Sequence, residues 1–285
     1  MKLKKVCIVA SIVLLGCALV FTVGTLHVNT KTNQLMKAIQ QNDINEASEL
    51  VANNKQCVNR LDSLFPRLSV MLDDSVIYPL QEACHEGCYE IVQMLLENGA
   101  DVNCVDPTIH STPLIMALRS NHQNRFEIAD LLIKNGADMI TVTDDHNENA
   151  LSAATWLSLQ PDESEKEKSK QMFQIVLDAY MQQGMNIKDV KYRCGNIYLT
   201  ACNNGNVAVV EYLLDHDFYE IDETSQDSKT ALIVAVQAER VEVVKYLVDN
   251  RADMQAVDAN GNTAYDYAIE KQNEEIIEML NPSNS

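Results

Sequence analysis

The chain has 285 residues, 46% of them apolar, which is enough for a sizeable buried core and excludes a disordered tail. Its 22 Lys+Arg against 41 Asp+Glu give a formal net charge of -19, which repels nucleic acid and does nothing to draw the chain to an anionic membrane surface. Eight cysteines over this length are too few for a fold built from disulfides.

Residues 1–5, MKLKK, form a basic tail, and from Val6 to Leu26 the sequence VCIVASIVLLGCALVFTVGTL carries no charge. Such a run matches a hydrocarbon core roughly 30 Å thick, so residues 6–28 read as one transmembrane signal-anchor helix. Lysines before it and little positive charge just after it put the tail in the cytoplasm. Everything beyond His27 then lies on the extracytoplasmic side of a single-pass protein. Two processing routes compete with a retained anchor. Thr22 and Gly24 have the spacing that a signal peptidase accepts, which would release a secreted chain. LLGC resembles a bacterial lipoprotein box with Cys17 as the lipidated residue, although apolar ALVF follows where a polar linker normally begins.

Beyond the anchor the chain repeats itself. LMKAIQQNDINEASELVANN (Leu35 to Asn54) reads as a degenerate first unit, and an insertion near 60–75, RLDSLFPRLSVMLDDS, separates it from the next. YPLQEACHEGCYEIVQMLLENGADVN (Tyr78 to Asn103) holds two short helical patterns split by Gly87, then a glycine stop at Gly99 and a polar turn. STPLIMALRSN and FEIADLLIKNGADM repeat that design from Ser111 to Met139. ENALSAATWL (Glu148 to Leu157) begins a fourth unit, whose second helix, QMFQIVLDAYMQQG, resumes only after a charged insertion near 158–171. That insertion reads as a solvated loop or a helix extension. Asn196 to Asp217 and Thr230 to Asp253 add two more copies, and Asp258 to Leu280 starts in phase and turns polar, as a terminal cap does. Residues 282–285 are a tail.

The pattern resembles the ankyrin repeat. Pro79, Leu80, Ala83, Gly87, Val92, Leu95, Leu96 and Gly99 to Asn103 match its signature, as do Thr112, Pro113, Leu114, Ala117, Leu132 and Gly136 to Asp138. The core positions Tyr198, Leu232 and Tyr265 fall 34 and 33 residues apart, against an ankyrin period of about 33. Together with the N-terminal segment the pattern resembles a bacterial-type ankyrin-repeat protein with an N-terminal membrane anchor. The resemblance implies an all-α solenoid of about six to seven helix-turn-helix units with short turns over residues 33–281, preceded by the one transmembrane helix. It also implies protein binding through turn tips and the open face of the first helices.

Counted by repeat phase, that face carries Glu82, His85, Glu86, Met116, Arg119, Trp156, Asn203, Asn204, Gln237 and Tyr267. Trp156, the sole tryptophan, is either an interface anchor or a residue packed beneath the insertion. The acidic balance suggests a partner with a basic surface, met by a monomeric repeat domain.

No phosphate loop, HExxH, GxSxG or dinucleotide fingerprint is present, so no enzyme and no cofactor is expected. The one local rival is CHEGC. Cys84, His85 and Cys88, with Cys104, could form a thiol or metal site in a redox-sensitive extracytoplasmic protein, and a Cys84–Cys88 or Cys194–Cys202 disulfide could form in an oxidising compartment. Zinc needs four converging ligands and only one loose pair is visible, so no metal is assigned. Repeat phase makes Cys84 a core residue equivalent to Ile39, Leu118, Cys202, Val236 and Ile269. Cys88 stays unexplained, because its counterparts Asp43, His122, Asn206, Arg240 and Asn273 are polar.

Overall fold

A computed structural model describes residues 30–59, 78–105, 110–141, 148–156, 163–192 and 195–281. The N-terminal run expected to span a membrane, Cys17, the insertion near 60–75 and Cys194 lie outside them. Among the described residues, no helix is long and apolar enough to cross a membrane.

The described chain is all-α and forms seven helix pairs. Residues 30–40 (α1) pair with Ile44–Asn53 (α2), Pro79–His85 (α3) with Tyr89–Glu97 (α4), and Pro113–Arg119 (α5) with Arg125–Lys134 (α6). Ala150–Ala153 (α7) pairs with Glu163–Gln182 (α8), and Ile197–Asn204 (α9) with Val207–Asp215 (α10). Ala231–Gln237 (α11) with Val241–Asp249 (α12), and Ala264–Lys271 (α13) with Glu274–Leu280 (α14), complete the array.

Five of the seven first helices start where the sequence supplies a cap. Thr112, Asn149, Asn196, Thr230 and Thr263 each accept the backbone N–H three residues on, satisfying a donor that the first turn leaves free. Pro79 and Pro113 occupy the first helical turn, where a missing N–H costs nothing.

The helices form two layers. First helices pack side by side from α3 through α13, and second helices do the same from α2 through α14. Leu35, Leu80, Leu114, Leu151, Tyr198 and Leu232 recur at one position and are buried between successive pairs, each such side chain worth roughly 1.5–3 kcal/mol of burial. Ile269 departs from the expected core register. It is 50% exposed because it sits in the last described pair, with no further pair laid over it.

Polar ladders join neighbouring units at the turn tips. The Asn59 amide donates to the Gly99 carbonyl at 2.6 Å and accepts from the Asp101 N–H at 2.9 Å. Asn103 repeats both bonds one unit later, to Gly136 at 3.1 Å and from Asp138 at 2.8 Å. Asp222 accepts from the Asp253 N–H at 2.9 Å.

The charged insertion continues as helix. Over Glu163 to Gln171 it adds turns to the front of α8, and its two sides are clamped. The Arg125 guanidinium, 1% exposed, donates to Glu165 at 2.7 Å and to the Ser120 carbonyl at 3.3 Å. Burial pulls the Arg125 pKa down and Glu165 opposes that shift. On the other side Asn206 donates its amide to the Ser169 hydroxyl at 2.8 Å, inside the core.

Gly87 adopts φ +69, and a Cβ there would meet His122 Cβ at 2.5 Å, so the turn between α3 and α4 admits no side chain. His122 is therefore a neighbour of the preceding turn and not the counterpart of Cys88. That counterpart is Asn124, the residue before α6, because this turn is longer than its equivalents.

Asn103→Ala removes both bonds between adjacent turn tips and is expected to cost about 1 kcal/mol in urea unfolding, since the site is exposed. Arg125→Ala, which strips a buried pair of one partner, is expected to cost about 3 kcal/mol. Lys168→Ala, acting on an ion pair at 3.8 Å between two exposed side chains, should cost under about 0.5 kcal/mol.

Candidate partner-binding face

The first helices expose one side chain per turn on the surface that faces away from the second layer. His85 and Arg119 are exposed there, and Glu86, Met116, Trp156, Asn203, Asn204 and Gln237 are half-buried. Glu82 and Tyr267, expected on the same surface, are buried beneath it. Glu82 accepts from the Gln40 amide at 2.7 Å and so ties α3 to α1. The Tyr267 hydroxyl donates to Asp258 at 2.6 Å, and Asp258 also collects the N–H groups of Asn260 and Asn262. The hydroxyl, then those N–H groups, hold the Asp258 carboxyl below the usual carboxylate range. Both residues brace the face from behind, three residues before His85 and Glu270 on the inner side of their helices. Ala153, Thr200 and Val234 hold the same position and are buried as well.

Bonds across units, and one within a unit at Gln237, run along this surface. Asn204 donates to the Thr155 hydroxyl at 2.6 Å, the Asn203 carbonyl accepts from Arg240 Nε at 2.8 Å, and Gln237 accepts from Lys229 at 3.0 Å. Trp156 resolves into a half-buried rim residue. Arg119 lies over its ring at 4.9 Å, while its indole N–H is enclosed and has no hydrogen-bond partner. Arg119 also donates to Glu148 at 3.0 Å, and Tyr192 donates to the other oxygen of that buried carboxylate at 3.3 Å. Sequence reasoning missed Glu148 and Tyr192. Their partners lie 29 and 44 residues away, and no local pattern announces such contacts.

Charge is divided between the layers. α5, α7, α9 and α11 hold no acidic residue. Every second helix carries at least two, among them Glu90 and Glu97, Glu127 and Asp130, Glu211 and Asp215, Glu242 and Asp249. The net acidity that suggested a basic partner therefore belongs mainly to the opposite layer. Between α3 and α5 the first-helix face opens into a cavity of about 490 Å³, lined by His85, Met116, Arg119, Ser120, Asn121 and His122, with Ser111 at its edge.

CHEGC divides among three environments. Cys84 is fully buried, and His85 is exposed with Nδ1 at 3.0 Å from Glu86. Cys88, buried at the start of α4, points its thiol at the Ile39 carbonyl 3.7 Å away. That contact explains the thiol that repeat phase leaves open. It takes the place of the amide that Asn124 donates to the Gly87 carbonyl and of the Arg240 bond to Asn203, each joining a unit to the one before. Cys57, Cys84 and Cys88 carry no disulfide, so Cys84 and Cys88 stand as separate thiols in this structure. Among the described residues, no three His, Cys, Asp or Glu side chains converge as a metal site would require.

Comparison with known proteins agrees with this architecture. One family model of ankyrin repeats in three copies matches residues 167–258 and 199–284, and another, of many copies, matches residues 80–133. The chain is similar in fold to the crystal structure of the human ASB11 ankyrin repeat domain, with a TM-score of 0.60 and 23% identity over 86% of this chain and 95% of that one. No curated protein sequence matches significantly.

Burial raises the Cys88 thiol to about 11, with Glu86, Glu90 and Glu82 adding to the shift, and it raises Cys84 in the same direction. A folded-state pKa above the unfolded value of 9.0 means that the folded form holds the proton more tightly. This contribution to stability is thus complete below pH 9 and lost as pH climbs toward 11. Denaturation midpoints measured against pH should stay level to about 9 and then fall. Native protein at pH 8 should leave these thiols unlabelled by a thiol reagent until denaturant is added.

Proposed function

The chain is an ankyrin-repeat protein, and on that premise we propose that it is a scaffold that captures a partner protein on its first-helix face while tethered to a membrane by residues 6–28. The observation that carries the reading is the row from His85 through Arg119 and Trp156 to Asn203 and Gln237. These side chains recur unit after unit on the surface that faces away from the second layer, and bonds to a neighbouring unit hold Arg119 and Asn204 in place. A pre-ordered row of this kind loses little side-chain entropy on binding.

A solenoid of stacked pairs has a long surface and no water-excluding pocket, so the reading gives the chain no catalytic step. The uncharged N-terminal run and the lysines before it support a single-pass topology with the repeats on the extracytoplasmic side. Lipidation at Cys17 or cleavage after Gly24 would change the tether and leave the repeats facing the same way.

Crosslinking capture from native membranes, combined with protease accessibility in sealed cells, tests both parts. Repeats on the outer side should be digested without lysis, and protection until lysis would refute the topology. Trp156→Ala should lower capture by roughly tenfold or more with unchanged thermal melting. Capture that survives substitutions along the whole row would show that the wrong face has been assigned.

A further inference from the structure

The partner chemistry can be narrowed from the cavity between α3 and α5, granted the reading that the first-helix face is the docking surface. In a chain with 41 acidic residues, no carboxylate is among the described residues that line this cavity. Its polar lining is Arg119, His85, His122, Ser120, Asn121 and Ser111, over a floor that includes Met116. Among these residues Arg119 is the one permanent cation. Its Nη1 is engaged by Glu148 and its plane rests over Trp156, yet the side chain is 41% exposed. The guanidinium thus retains donors for a second acceptor. Two contacts already fix its orientation, so little rotamer freedom is lost when that acceptor arrives.

His122 adds an N–H donor, exposed above the Gly87 turn, whose glycine lets the ring approach that closely. His85 spends its Nδ1 proton on Glu86 at 3.0 Å and lines the wall without adding a donor. Ser120 fixes the corner, its hydroxyl donating to the His85 carbonyl at 3.3 Å and accepting from the His122 N–H at 3.2 Å. A basic segment would meet Arg119 directly and find no carboxylate on the wall. An apolar segment would bury the exposed part of the guanidinium without an acceptor.

We infer that this cavity is the anchor subsite of the docking face and takes a carboxylate side chain, aspartate or glutamate, from an acidic segment of the partner protein. Arg119 supplies a charge-assisted bond, Trp156 stiffens it from the side, and His122 supplies a further N–H donor. The chain's overall acidity opposes this association at long range, so affinity comes from the short contacts. Added salt, which screens the long-range repulsion, weakens this complex less than it would an ordinary pairing of opposite net charges.

The test is selection of a phage-displayed library of random short peptides on the full chain, followed by direct binding measurements on the retained peptides. Peptides rich in Asp and Glu are expected. Asn121→Asp puts a carboxylate on the cavity wall without disturbing Glu148 or the core, and it should weaken the retained peptides roughly five- to tenfold. Asn121→Lys should strengthen them, and Arg119→Gln should weaken them. Because Arg119→Gln also removes a partner of a buried carboxylate, its melting temperature must be followed, and the Asn121 pair keeps the test decisive if that variant unfolds. Retained peptides that are basic or neutral, yet lose binding with Trp156→Ala, would overturn the acidic subsite and leave the docking face standing. An absence of retained peptides, or retention insensitive to Asn121, Trp156 and Gln237 substitutions alike, would overturn both.

Discussion

No helix pair in this chain can bury its own apolar faces, and the rest of the structure follows from that deficit. A helix of seven residues such as α3 or α11 is too short to persist alone in water. It is held because Leu80 or Leu232 is sealed on one side by its own second helix and on the other by the next pair. Stability is then a property of neighbouring units, and the polar bonds at Asn59, Asn103 and Asp222 fix the register at which those units meet. Because neighbouring pairs bury each other's apolar faces, the outward side of the first helices is left over, and apart from Arg119, which also holds the buried Glu148 carboxylate, its side chains carry little structural duty. The face that carries Arg119 and Gln237 exists for that reason.

Periodic features of this fold were legible in the sequence and long-range polar ones were not. Gly87, Gly99 and Gly136, the TPL opening at Thr112 to Leu114, and the recurring buried leucines are local patterns set by helix geometry, so the units and their core could be counted from them. Terminal position defeated the count at Ile269, where the pattern repeats and the covering pair does not. At His122 a longer turn moved the start of α6 and broke the phase. On the face itself, counting found Arg119 and Trp156 but placed Glu82 and Tyr267 on the wrong side, because that position lies on the inner side of each first helix. Glu148 was invisible for a different reason. A buried carboxylate between an arginine and a tyrosine from other units has no signature in its own neighbourhood.

Cys88 shows how the same physics settles a local puzzle. Two cysteines, a histidine and a glutamate within five residues look like chemistry when read as a string. Helix geometry sends them to the core, to solvent and to the joint with the preceding unit. The thiol does there what an asparagine amide or an arginine side chain does in other units, with a weaker donor.

The fourth unit is built unlike the others. Its first helix, α7, is a single turn of four residues, while α8 runs for twenty and grips α6 through Arg125 and the start of α10 through Ser169. Material missing from one layer has been moved to the other. Under tension along the array, the ordinary joints carry load on both layers, but this one carries it mainly on the second. The first-helix side of the fourth unit then becomes the compliant side of a joint whose back is stiff, so bending would open and close the surface at Trp156 more readily than the array could be stretched.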